Sequence, residues 1–179
     1  MSSPSAPPSA SPTPRAWARP LAREAGLRRP VAGWWQDRHW RLACWAALPV
    51  WVALALVVGP HMRAPVGAWA WLSLVLVQPL LEELVLRGLV QGLALGLSTR
   101  RGVALRLGPL SLANALTTGL FVALHLPHQP LPWALAVALP SLVLGHLRER
   151  LGSVWPGVLL HAIYNLGFGL AAWGARLLT

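Results

Sequence analysis

The 179-residue chain has no lysine, a single cysteine and only five acidic residues. The shortage of charge excludes most. Charged residues make up 11% of the chain and hydrophobic ones 55%, whereas a soluble domain is about 25% charged. Too little polar surface remains to clothe a water-facing globule, and the composition predicts a polytopic membrane protein. The lone Cys44 can form neither an internal disulfide nor a cysteine-cluster metal site, and reads as a packing residue. No soluble basic domain bearing stacking aromatics is visible, so no nucleic-acid partner is expected. No repeat of fixed period is present, which weighs against an inverted-repeat transporter.

Arginine and apolar runs fill the chain instead. Residues 1–14 are nearly all Ser, Pro and Ala; they cannot bury a core and are expected to be disordered. Residues 15–41 mix seven arginines with Trp17, Trp34, Trp35 and Trp40. That pairing suits a lipid headgroup layer, where a short interfacial helix could form. Residues 1–41 therefore form an N-terminal basic, Trp-rich interfacial segment, and residues 42–179 a transmembrane domain. Five apolar segments follow, at about 42–59, 66–97, 110–126, 131–147 and 153–178. The first starts late enough to read as an uncleaved anchor rather than a signal peptide. The second is too long for one straight crossing, and Pro79 in its middle predicts a break or kink. The expected fold is an all-α transmembrane helical bundle of about five to six membrane segments with a disordered N-terminal tail.

The arginines decide between five and six crossings. If the second segment crosses once, one side of the membrane receives seven arginines from the tail, three from residues 98–109 and two from residues 148–150. The other side receives Arg63 and Arg176. The positive-inside rule then places the N-terminus in the cytoplasm of a multi-pass cell-membrane protein. A hairpin at Pro79 would reverse the later loops and spoil this count.

Against that background a few polar residues stand out, because ionisable groups among lipid-facing segments are costly and mark function by default. Glu82 and Glu83 are adjacent. Glu83 and Arg87 are spaced i, i+4 in the favourable order and can pair on one helical face. Glu82 points about 100° away and has no local partner. His125 closes the third segment, with Phe121 one turn before it on the same face. His161 and Asn165 stack at i, i+4 in the last segment. Separately, each has a bland reading: an interhelical ion-pair staple, a hydrogen-bonded core histidine, or polar glue between helices. Together they offer a base for water, a group to orient it, and oxyanion donors. No serine or cysteine has an obvious base and Gly-flanked turn, so a covalent nucleophile has little support. Zinc held by Glu and two His is conceivable, although no H-E-x-x-H motif occurs.

The ordered set Glu82-Glu83-x-x-x-Arg87, Phe121-x-x-x-His125 and His161-x-x-x-Asn165 resembles the CAAX-protease and bacteriocin-processing (CPBP, or Abi) family of intramembrane endopeptidases. The resemblance covers roughly residues 79–170. It implies that Glu82 and His125 activate water, that His161 and Asn165 stabilise the oxyanion, and that Glu83 and Arg87 support them. It also implies a membrane-anchored peptide or protein as substrate and a glutamate mechanism without a cofactor, with zinc kept possible. A prenylated substrate does not follow, because bacterial members include immunity-type and protein-sorting peptidases. The competing readings are a non-catalytic membrane immunity or scaffold protein, and a small transporter with Glu82 and Glu83 as a proton relay.

Overall fold

A computed structural model describes residues 22–100 and 106–177. The tract 1–14, and the interfacial segment as far as residue 21, lie outside the described residues. Six helices of six or more residues are present among those described. They are α1 (Arg38–Val57), α2 (residues 68–100), α3 (Leu112–His125), α4 (Leu131–Ala136), α5 (Ala138–Leu151) and α6 (Trp155–Leu177). A two-residue antiparallel ladder, β1 (Arg106–Leu107) with β2 (Leu110–Ser111), turns at Gly108, whose φ of 61° favours glycine.

Local chemistry sets the boundaries. The Asp37 carboxylate accepts from the N–H groups of His39 and Trp40, which starts α1 four residues before the apolar run itself. Ser111 caps α3 through the Asn114 N–H at 3.0 Å. Gly152, left-handed at φ 64°, ends α5. Arg148, Glu149 and Arg150, expected in a loop, instead form the last turn of α5.

Pro79 does not break its segment. The chain is helical from residue 68 to 100, with α-helical Gln78–Glu82 between π-helical stretches at Ser73–Val77 and Glu83–Val90. In the first π stretch the Gln78 N–H bonds to Ser73 O, five residues back. The next bond in that register would need the N–H that proline lacks. The wider turn thus absorbs the proline without a break, and leaves the Leu74 carbonyl to be used elsewhere.

Among the described residues, four helical stretches are long and apolar enough to cross a membrane: Arg38–Val57, Ala68–Thr99, Leu131–Leu151 (α4 running into α5) and Trp155–Leu177. The fifth apolar segment, α3, has 14 residues, about 21 Å of helix against a hydrocarbon core of about 30 Å. Amphipathicity runs inside out. On α2, Leu81, Val85, Leu89, Leu93 and Leu97 recur every fourth residue and are exposed, while Glu83, Arg87 and Gln91 are buried. Water would favour the reverse; lipid accepts this arrangement, and the chain is a multi-pass membrane bundle.

Helix α6 lies between α1 and α2, and two glycines let it approach both. Gly167 receives the Trp51 ring of α1, and Gly169 the Trp71 ring and Leu74 of α2. A Cβ at either would collide, so close approach fixes glycine there. Helix α3 packs on α5.

The described residues of the arginine-rich stretches gather at one end of this bundle. Val154 N–H donates to Gly26 O, and Arg148 Nη2 to Glu24 O. Arg28 Nε donates to Gly152 O. Arg150 pairs with Asp37 at 2.8 Å and Arg106 with Glu149 at 3.1 Å. Partial burial alone would raise the Asp37 carboxyl, but the Arg150 hydrogen bond and charge, with the Trp40 and His39 N–H groups, hold it below the usual carboxylate range. This contact is therefore lost only as pH falls through that lowered value. At the opposite end, Met62 and Ala64, which flank Arg63, pack against Ala172 of α6.

Single cysteines in a Cys44→Ala background test this arrangement. Arg29→Cys and Pro109→Cys should label with a membrane-impermeant maleimide from one face of the membrane, and Arg63→Cys and His128→Cys from the other. A shared face for Arg63→Cys and Arg29→Cys would contradict it.

Candidate active site

The buried stripe of α2 meets a stripe of α5 with the same four-residue step. Arg87 Nη2 donates to the Ser141 carbonyl at 3.1 Å and to Ser141 Oγ at 2.9 Å. One turn on, Gln91 Nε2 donates to Gly145 O at 3.0 Å and Glu149 Oε1 at 2.9 Å. Glu149 also bonds Ser111, which ties the start of α3 to this seam. Gly145 has no room for a Cβ because the Asn114 side chain of α3 occupies that space. Asn114 in turn donates to Leu142 O at 3.0 Å. The hydrogen bonds are side chain to backbone as well as to side chain, as expected where no water can satisfy a buried amide.

Toward mid-membrane the stripe ends in the two glutamates. Glu83 is 1% exposed; Glu82 is 32% exposed. His161 of α6 lies between them. Its Nδ1 is 3.1 Å from Glu83 Oε1, and its Nε2 is 3.6 Å from Glu82 Oε2. The expectation that Glu82 lacks a partner thus holds only within α2, since α6 supplies one. An ionised carboxylate can only accept, so Nδ1 carries the hydrogen and Nε2 is turned toward Glu82. Gly157 keeps this packing close: a Cβ there would stand 2.9 Å from Glu83 Oε2. Arg87 completes the charge balance, with Nε 3.7 Å from Glu83 Oε2.

Phe121 of α3 joins the remaining parts. Its ring centroid is 4.5 Å from that of His125, 6.2 Å from that of His161, and 5.5 Å from the Arg87 guanidinium carbon. His125 Nδ1 donates to the Phe121 carbonyl at 2.8 Å. A carbonyl can only accept, so the neutral ring carries its lone pair on Nε2 and can act as a base there. Asn165 Nδ2 donates at 2.9 Å to the Leu74 carbonyl, the acceptor released by Pro79. Its second N–H is not used by that bond.

The sequence matches the family described as Type II CAAX prenyl endopeptidase Rce1-like over residues 64–167, more than half of the chain. The chain belongs to this family. Neither a curated protein nor a solved structure matches it. All six polar positions of the three motifs fall within the matched region of this CAAX-protease-like protein. Among the described residues, no three His, Cys, Asp or Glu side chains form an arrangement that could hold a metal ion. Glu83 is committed to His161 and Arg87, and His125 Nδ1 to a backbone carbonyl. The donors present do not by themselves make a zinc site.

Gln91, Ser141, Asn114 and Glu149 belong to the buried network without being among the sequence candidates. Gln91 is eight residues after Glu83 on the same face, and Ser141 is the one hydroxyl-bearing residue in the segment 131–147. Both signals were there to be read.

Removing one member of a buried ion pair strands the other, at a cost of about 3–5 kcal/mol. Arg87→Met alone should destabilise the protein by about that amount, and Glu83→Gln with Arg87→Met by clearly less than the sum of the single changes. Reversible unfolding in mixed micelles measures this cycle; additive effects would mean the two side chains do not interact.

Proposed function

We propose that this CAAX-protease-like protein is an intramembrane endopeptidase that hydrolyses a peptide bond of a membrane-associated protein or peptide. The observation carrying the reading is the Glu83–His161–Glu82 arrangement, in which one buried and one half-exposed carboxylate flank an imidazole inside an apolar bundle.

Glu82 is the partly accessible acid, and with His125 Nε2 it takes a proton from water as oxygen attacks the scissile carbonyl carbon. The electron pair displaced onto the carbonyl oxygen is met by His161 and by the unused N–H of Asn165. Glu83 supports a protonated His161 through Nδ1, and Arg87 balances Glu83. Collapse of the tetrahedral intermediate breaks the C–N bond, and the proton held by Glu82 passes to the leaving amine. Water is consumed, and one carboxylic acid and one amine are formed. The gathering of residues 22–37, Arg106 and residues 148–150 at one end supports a cytoplasmic placement of that end.

Glu82→Ala, His125→Ala and His161→Ala should each reduce cleavage by at least about 100-fold, the scale of general-base and oxyanion contributions, with membrane insertion unchanged. Comparison of protein termini in cells carrying wild type or Glu82→Ala identifies the substrate. Identical termini in the two would contradict the reading, and would favour a binding role for the polar site.

A further inference from the structure

Arg87 stands away from the carboxylate it neutralises. Its Nε is 3.7 Å from Glu83 Oε2, whereas an unrestrained Arg–carboxylate pair closes to about 2.7–2.9 Å. Neither Glu83 Oε2 nor Arg87 Nε has a hydrogen-bond partner among the described residues, although both are fully buried. The guanidinium is drawn instead to α5, where Ser141 accepts twice, through its carbonyl and through Oγ.

Donor accounting gives this contact a direction. A serine hydroxyl has one hydrogen and two lone pairs. Ser141 Oγ donates its hydrogen to Thr118 Oγ1 of α3 at 2.9 Å, so its lone pairs are left for Arg87. Thr118 is aligned in turn toward Asn114 Oδ1 at 3.4 Å. Ser141 is completely buried and Thr118 nearly so. Three helices thus fix one hydroxyl opposite one guanidinium, with no water to compete.

We propose that Ser141, oriented by Thr118, is a positioning residue that holds Arg87 back from Glu83. Because Arg87 does not close on it, Glu83 keeps its negative charge directed at His161 Nδ1, which strengthens that hydrogen bond and sets the imidazole toward Glu82. Without the hydroxyl, Arg87 settles onto Glu83 and the carboxylate loosens its hold on His161. The catalytic meaning of this contact rests on the protease reading above; the effect on His161 does not.

The test uses full-length protein labelled with ¹⁵N-histidine in lipid nanodiscs, the His161 signal being assigned with His161→Gln. In wild type the His161 Nδ1–H proton should resonate far downfield, as for a hydrogen bond to a carboxylate. Ser141→Ala should move it upfield, and Thr118→Val should move it the same way by less. The His39–His146 pair, 2.9 Å apart at the arginine-rich end, reports that the fold is intact. If Ser141→Ala fails to fold, Thr118→Val decides alone. A His161 signal unmoved or moved downfield in a folded variant overturns the proposal. On a substrate identified from the termini, kcat should fall several-fold in Ser141→Ala with KM unchanged. If Glu82→Ala cleaves normally, the protease reading fails while the resonance still judges Ser141.

Discussion

A carboxylate sealed between apolar helices has no water to answer its charge. The Glu83 oxygens are answered instead by Arg87 on their own helix and by His161 on α6. An ionised side chain at the bilayer centre costs upward of about 2.5 kcal/mol even on the mildest scales, so these groups persist only as a set. That requirement brings α2, α5 and α6 together at one depth. It also explains why the close helix approaches sit nearby: Gly157 makes room for Glu83, and Gly145 for Asn114. The polar seam orders the bundle, and exposed leucine and valine fill the rest of its surface.

The same seam gives the two adjacent glutamates different surroundings. Glu83 is enclosed and bonded, while Glu82 is partly open and stands 3.6 Å from His161 Nε2, with no arginine paired to it by a hydrogen bond in its own helix. Under the proposed protease reading the accessible Glu82 is the base, since a carboxylate tied to arginine is a poorer proton acceptor. Phe121, in contact with both imidazoles and the guanidinium, keeps the three cationic or basic groups at fixed spacing with an apolar spacer.

Much of this was legible in the sequence, for reasons that differ by residue. The scarcity of charge gave the membrane class, and the i, i+4 spacings of Glu83 with Arg87 and of Phe121 with His125 gave helical faces that the structure retains. The family followed from the three motifs in order. Pro79, whose missing N–H suggests a break or kink, does not break the helix. A π turn accommodates it, and the freed Leu74 carbonyl accepts from Asn165, ninety-one residues later in the chain. Spacing along one segment does not encode the contact of Glu82 with His161, which depends on the packing of α6 on α2; only the motifs taken together bring the two residues to one site. Ser141 carried a signal, a lone hydroxyl in an apolar run, but its role depends on Thr118 and Arg87 from two other helices.

The contact on which the site turns can be measured in a bilayer. Solid-state NMR dipolar recoupling between a ¹³C-labelled Glu83 carboxyl carbon and ¹⁵N in the His161 ring should give strong dephasing, as fits an Nδ1–Oε1 separation of 3.1 Å. That dephasing should vanish in His161→Gln. Absence of coupling in the wild-type protein would show that the carboxylate and the imidazole do not meet, and would contradict the account at its centre.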